Sequence, residues 1–159
     1  MPPTIRPATP PDTPALLASI QAYYAYDHIP YDEAAIRRGL LALAAHPEWG
    51  GAWLIWDGDA VAGHFLLTYG FDLEFGGRQA TLTELHLHPA HRRRGLGLLA
   101  MGEIAHILCE QGIETLELQV EADNHEARAF YDGLGFQAYD RVPMSLRLPQ
   151  GSSLGVRAR

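Results

Sequence analysis

The sequence predicts a mixed α/β fold: one mostly antiparallel sheet of about seven strands with helices on both faces. Three observations lead there. Turns at Asp57-Gly58-Asp59 and Gly76-Gly77 cut apolar, β-rich runs into an antiparallel meander. Two amphipathic helices fall ahead of that meander. After it, a strand ending at Pro89, a long apolar helix and a strand from Thr115 form a β-α-β unit, whose right-handed crossover makes its two strands parallel.

Each element follows from local signals. Residues 4–8 (TIRPA) read as a short strand. Asp12 then stands as N-cap with Pro14 in the first turn of a helix carrying Leu16, Leu17, Ile20, Tyr23 and Tyr24. A second helix runs from Asp32 to Ala45 with Ile36, Leu40, Leu41 and Ala44 on one side. The meander follows. The helix from Leu96 to about Glu110 repeats Leu98, Leu99, Met101, Ile104, Ala105 and Leu108, and Gly112 closes it. TLELQVEA reads as a strand, NHEARAFYDGLG as a helix ending at Gly135, and FQAYDRVPMSLRL as a last pair of short strands. The order is β-α-α-β-β-β-α-β-α-β-β, with residues 1–149 as a single domain and 150–159 as a flexible tail.

Composition bounds the function. The chain has 159 residues, a formal net charge of −7 and no lysine, so a catalytic lysine is excluded. The acidic balance argues against a nucleic-acid partner, since phosphate backbones demand a broad basic face. The lone Cys109, among apolar helical neighbours, reads as core and leaves no intrachain disulfide. No signal peptide or membrane-spanning run is visible, so the expected location is cytoplasmic. His86, His88 and His91 lie close together without a fourth ligand at metal spacing, so no metal is expected.

Within this acidic chain, Arg92, Arg93 and Arg94 stand together before Gly95, Leu96 and Gly97, where a strand turns into a helix. The first amides of a helix lack partners inside it and carry the positive end of its dipole. Glycines let the backbone approach a ligand, so the stretch is built for a small polyanion. It matches neither Gly-x-Gly-x-x-Gly nor a Gly-Lys-Ser/Thr phosphate loop, which disfavours dinucleotide enzymes and nucleoside triphosphatases.

The array Leu85-x-Leu87-x-Pro89-x-x-Arg92-x-x-Gly95-x-Gly97, with Asn124 and ARAFYDGLGF downstream, resembles the GNAT (Gcn5-related) N-acetyltransferase superfamily, most of all its small-amine and diamine acetyltransferases. The resemblance implies acetyl-CoA as cofactor, its pyrophosphate on Arg92, Arg93, Arg94, Gly95, Leu96 and Gly97. The pantetheine arm would pair with the backbone at Leu87 and His88, as an added strand does. Asn124, Arg128 and Tyr131, at i, i+4 and i+7, would form one stripe toward the cofactor. Tyr131 would protonate the departing thiolate, a task that suits a phenol neutral at pH 7.

An acceptor amine must lose a proton as it attacks. Glu84, on one strand face with His86 and His88, is the first choice of base, and His86 an alternative. The Leu87 amide or a neighbour would polarise the thioester oxygen. The acceptor would meet Tyr26, Asp27 and Tyr31, beside Tyr23 and Tyr24, since aromatic walls and carboxylates suit a cationic amine. The expected activity is direct acetyl transfer to the primary amine of a small molecule. A protein N-terminus as acceptor and a non-catalytic acyl-CoA-sensing module are the alternatives. A homodimer through the terminal strands is a possible assembly.

Overall fold

The computed structural model describes residues 1–148, so the tail expected over 150–159 lies outside the described residues. Two compact units divide the chain, Met1–Gln119 and the residues from Val120 onward. The first holds β1 (Thr4–Pro7), α1 (Thr13–Tyr26), α2 (Glu33–Ala45), β2 (Gly50–Asp57), β3 (Ala60–Asp72), β4 (Gly77–Leu87), α3 (Leu96–Glu110) and β5 (Thr115–Leu118). The second holds α4 (His125–Gly133).

One five-stranded sheet runs β1-β2-β3-β4-β5, antiparallel throughout except that β4 and β5 are parallel, as the crossover requires. The expected count of about seven strands is corrected to five among the described residues. Residues 136–148 form no strand. Val142, Met144, Leu146 and Leu148 alternate like a strand face, yet they are exposed, Val142 at 84% and Met144 at 93%. Alternation marks a strand only where another strand satisfies its amides and another layer covers its apolar side. β5 is also shorter than expected, ending at Leu118.

α1 and α2 cover one face of the sheet. Leu16 and Ile20 of α1 and Leu54 of β2 form a buried cluster, with Ile36 and Leu40 of α2, Tyr24 and Tyr31 packed against it. Leu41 and Ala44, expected on the same side of α2, are exposed, while Ile36, Leu40 and Leu43 are partly buried, so the covered side is rotated from the expected one. One residue along each strand, Ile55 and Phe65 point to the opposite face and are fully buried. α3 is the element left to cover them, through Leu96, Ala100, Met101, Ile104 and Leu108. Leu98, Leu99 and Cys109 lie off that stripe and are exposed, which corrects the placing of Cys109 in the core.

The helix ends follow the expected chemistry, with one amendment. Gly112 is left-handed at φ 65°, and the Ile113 amide donates to the Leu108 carbonyl at 2.9 Å, a Schellman close for α3. At the start of α1, Asp12 bonds backward rather than forward. It accepts from the Thr9 amide at 2.8 Å and from both terminal nitrogens of Arg6, which hold its carboxyl well below the usual carboxylate range.

Candidate active site

The parallel pairing of β4 with β5 ends at Leu82 with Leu118, while β4 runs on to Leu87. Beyond Leu82, β4 therefore has β3 on one side and, among the described residues, no strand on the other. The backbone groups on that open side can be identified. The His88 amide donates to the Ala62 carbonyl at 2.8 Å and its carbonyl accepts from the His91 amide at 2.9 Å, so His88 faces the β3 side and its backbone is not open to the cofactor pairing expected of it. In an antiparallel ladder the groups alternate from residue to residue, so the amides and carbonyls of Leu85 and Leu87 face the open side. A bulge between Leu66 and Leu67 leaves Thr83 as the extra residue of β4, at the point where the strands part.

Past β4 the chain turns through His88 to Gly95 into α3. Arg93 (φ 61°) and Gly95 (φ 80°) are both left-handed, and successive amides in such a turn face one concavity. For Arg93 that conformation costs about 1 kcal/mol, and glycine adopts it freely. Nothing lies within 4 Å of a Cβ built on Gly95, so no neighbouring group crowds that position. Gly95, Leu98, Leu99, Gly102 and Glu103 line an open depression of about 500 Å³ along the start of α3.

The arginines divide. Arg92 turns back from the bend: its Nε donates to the Leu87 carbonyl at 2.9 Å and its guanidinium lies 4.8 Å from the Tyr26 ring centroid. Arg94 pairs with Asp57, which also meets His91 Nδ1 at 3.0 Å. His91 first, then Arg94, hold the Asp57 carboxyl below its ordinary range.

On the face covered by α1, Glu84 and His86 of β4 and His64 of β3 are buried together. His64 Nε2 lies 2.8 Å from Glu84 Oε2, and His64 Nδ1 lies 2.7 Å from Ser19 Oγ. Burial, then the Glu84 charge, raises the Tyr24 phenol. Burial, then Asp27, raises Tyr23 further. His86 is 4% exposed, and its Nε2 has no hydrogen-bond partner among the described residues. Tyr23, Tyr26, His64 and His88 rings surround it at 5.2–6.5 Å between centroids. Burial first, then competition with the neighbouring His64 and His88 and the charge of Arg92, lowers His86 to about 3, so its imidazole is neutral at pH 7. Burial likewise lowers His88.

In the second unit, Asn124 is the N-cap of α4, its side-chain oxygen accepting from the Ala127 amide at 3.1 Å. Arg128 is exposed and donates to the Ala122 carbonyl. Tyr131 is half-buried against Phe130 and Phe136, and burial pushes its phenol up to about 12. The Gly135-Phe136 pair closes the helix: the Phe136 amide donates to the Tyr131 carbonyl at 3.1 Å, with Gly135 left-handed at φ 95°.

The first unit thus brings together Glu84, Leu87, His88, Arg92 to Gly97, Tyr26 and Asp27. Asn124, Arg128 and Tyr131 lie in the second. Tyr31 stacks edge-on to Tyr24 in the core cluster rather than beside His86. Ser19 and His64 escaped the sequence reading. Their one signal is a polar residue at an apolar position of a helix and of a strand.

A family model described as "Acetyltransferase (GNAT) family" matches residues 14–136. The [ribosomal protein bS18]-alanine N-acetyltransferase of Salmonella typhimurium is 40% identical over 58 residues, 36% of this chain and 39% of that enzyme, so less than half of the curated relative is spanned. Among solved structures, an integron cassette protein from the mobile metagenome of Cole Harbour Salt Marsh superposes with a TM-score of 0.79 at 26% identity, over 91% of this chain and 90% of that one. A predicted acetyltransferase from Clostridium acetobutylicum, solved with acetyl-CoA, has a TM-score of 0.76 at 16% identity over 91% and 96% of the two chains, a likeness of fold. No helix among the described residues is long and apolar enough to cross a membrane.

Proposed function

Because the chain belongs to the GNAT acetyltransferase family, whose acetyl donor is acetyl-CoA, we propose that it transfers an acetyl group directly from acetyl-CoA to a primary amine. The observation that carries this reading is the open side of β4. The Leu85 amide and carbonyl are the partners that the amides of a pantetheine arm need, while the Leu87 carbonyl accepts from Arg92. The bend at Arg93–Gly97 suits the diphosphate through its amides. At the end of the arm the Leu87 amide polarises the thioester oxygen.

Glu84 takes the proton of the acceptor, and Tyr131, kept neutral by burial, returns one to the thiolate. Asn124 and Arg128 complete the cofactor stripe. Tyr26 and Asp27, beside neutral His86, receive the amine, and Tyr31 shapes the wall behind Tyr24.

The acceptor we favour is a small-molecule amine, supported by the ring-lined surroundings of His86. The N-terminal amine of a polypeptide is the second reading, supported by the alanine N-acetyltransferases among the relatives. Thiol release from acetyl-CoA, measured against a panel of small amines and an alanine-initiated peptide, tests both. Release that tracks consumption of one acceptor class identifies it. Binding of CoA without release under any acceptor replaces the enzyme with a sensing module.

A further inference from the structure

Glu84 does not stand alone in the interior, and the groups holding it are assigned no role by family or relatives. We infer that His64, anchored by Ser19, is the positioning residue that fixes the Glu84 carboxylate for the acceptor's proton. The inference rests on the acetyl-transfer reading above.

The geometry sets the protons. Ser19 and His64 are fully buried and Glu84 is 9% exposed, so the line Ser19 Oγ, His64 Nδ1, His64 Nε2, Glu84 Oε2 lies out of water. To take the acceptor's proton Glu84 must be a carboxylate, which only accepts, so in that role Nε2 carries the hydrogen across its 2.8 Å contact. Nδ1 is then a bare acceptor, and the Ser19 hydroxyl donates to it across 2.7 Å. With that tautomer every polar group in the line has a partner.

Packing does not explain the arrangement. His64 sits in the apolar run AVAGHFLLTYGF, directly across from His86, where leucine would fill the space without polar atoms to satisfy. What the imidazole adds is direction. With Oε2 tied to β3, β3 tied through Ser19 to α1, and the Tyr24 hydroxyl also bonding the carboxylate, the Glu84 group is held in one orientation toward the amine. Misplacing a reacting group by about 1 Å costs on the order of 10²-fold in rate.

Three variants test this: His64→Leu, His64→Gln and Ser19→Ala. Glutamine keeps a donor toward Glu84 and an acceptor toward Ser19. His64→Leu is expected to lose about 10²-fold in kcat with the acetyl-CoA dissociation constant unchanged. His64→Gln should stay within about tenfold of the parent, and Ser19→Ala should fall between the two. Calorimetric melting checks that each variant folds. In the unliganded parent, ¹⁵N-histidine NMR should show His64 protonated at Nε2 and bare at Nδ1. Leucine retaining the parent kcat, glutamine falling as far as leucine while folded, or the opposite tautomer would each overturn the inference. A parent that releases no thiol with any amine sinks the enzyme reading instead, while the tautomer still reports on the line itself.

Discussion

Arg92 lies with its guanidinium 4.8 Å from the ring centroid of Tyr26, so a residue at the mouth of the bend before α3 is fastened to the first helix. Its Nε simultaneously bonds the Leu87 carbonyl on the open side of β4. Lysine cannot stack and donate in that fork geometry. Arg92→Lys should therefore lose about 1 kcal/mol of stability in urea denaturation. A variant as stable as the parent would mean that the contact holds nothing.

His86 predicts a pH dependence of folding. Its folded value, about 3, lies below the ordinary 6.5 because burial, and after it the neighbouring His64, His88 and Arg92, disfavour the imidazolium. Below pH 6.5 the unfolded chain takes up a proton that the folded chain refuses. Stability thus falls with falling pH, by about 1.4 kcal/mol per unit down to about 3. Between pH 6.5 and 5 this amounts to ~2 kcal/mol. His86→Gln should flatten that slope, and His88, depressed in the same direction, should preserve a residue of it. Denaturant titrations at the two pH values make the comparison.

Gly63 tests how tightly β3 and β4 approach. A Cβ there would sit 2.0 Å from the His86 carbonyl oxygen, a backbone atom that cannot swing aside. Gly63→Ala should cost about 3 kcal/mol, at the upper end of ordinary overpacking, and lower the melting temperature accordingly. A neutral result would show that the strands can separate without penalty.

Gly95 separates conformation from crowding, because its φ of 80° is left-handed while the space around its Cβ is empty. Gly95→Ala should cost about 1 kcal/mol in stability through backbone strain alone. It should also weaken CoA binding about tenfold in calorimetry as the bend relaxes. Gly95→Asn, which tolerates the left-handed region, should recover part of both.

Tyr131→Phe and Glu84→Gln should each lower kcat by about 10²-fold or more under saturating substrates. Since burial pushes the Tyr131 phenol up to about 12, it should remain protonated up to about pH 11, and no alkaline loss of activity below that pH should trace to it. A Tyr131→Phe enzyme as fast as the parent would remove the phenol from the reaction.

Much of the fold was legible because its signals are local. The Gly58 and Gly76 turns, the period from Leu96 to Glu110 and the Gly112 stop each need only their neighbours in sequence. Residues 136–148 misled because a strand is made by what lies beside it, and Val142 and Met144 have no such neighbour. Cys109 missed the core by a single position, since one residue rotates a helix by about 100°. Glu84 could be picked out from its strand face, but its anchor could not. Ser19 and His64 are 45 residues apart, His64 and Glu84 another 20, and only the packing of α1 on the β3–β4 register joins them. The three arginines were equivalent on paper until Tyr26 and Asp57 claimed two of them.

The stretch of β4 from Thr83 to Leu87, at ~3.3 Å per residue, offers roughly 17 Å of one-sided main chain. It acts as a yardstick. On the proposed reading, a stubby acyl phosphate would leave these peptide groups without mates, whereas a long carrier with its own amides would pair along the rail. Discrimination between acyl donors would then reside in atoms that every amino acid shares, and side-chain drift along this strand would alter the chosen amine without touching the choice of donor.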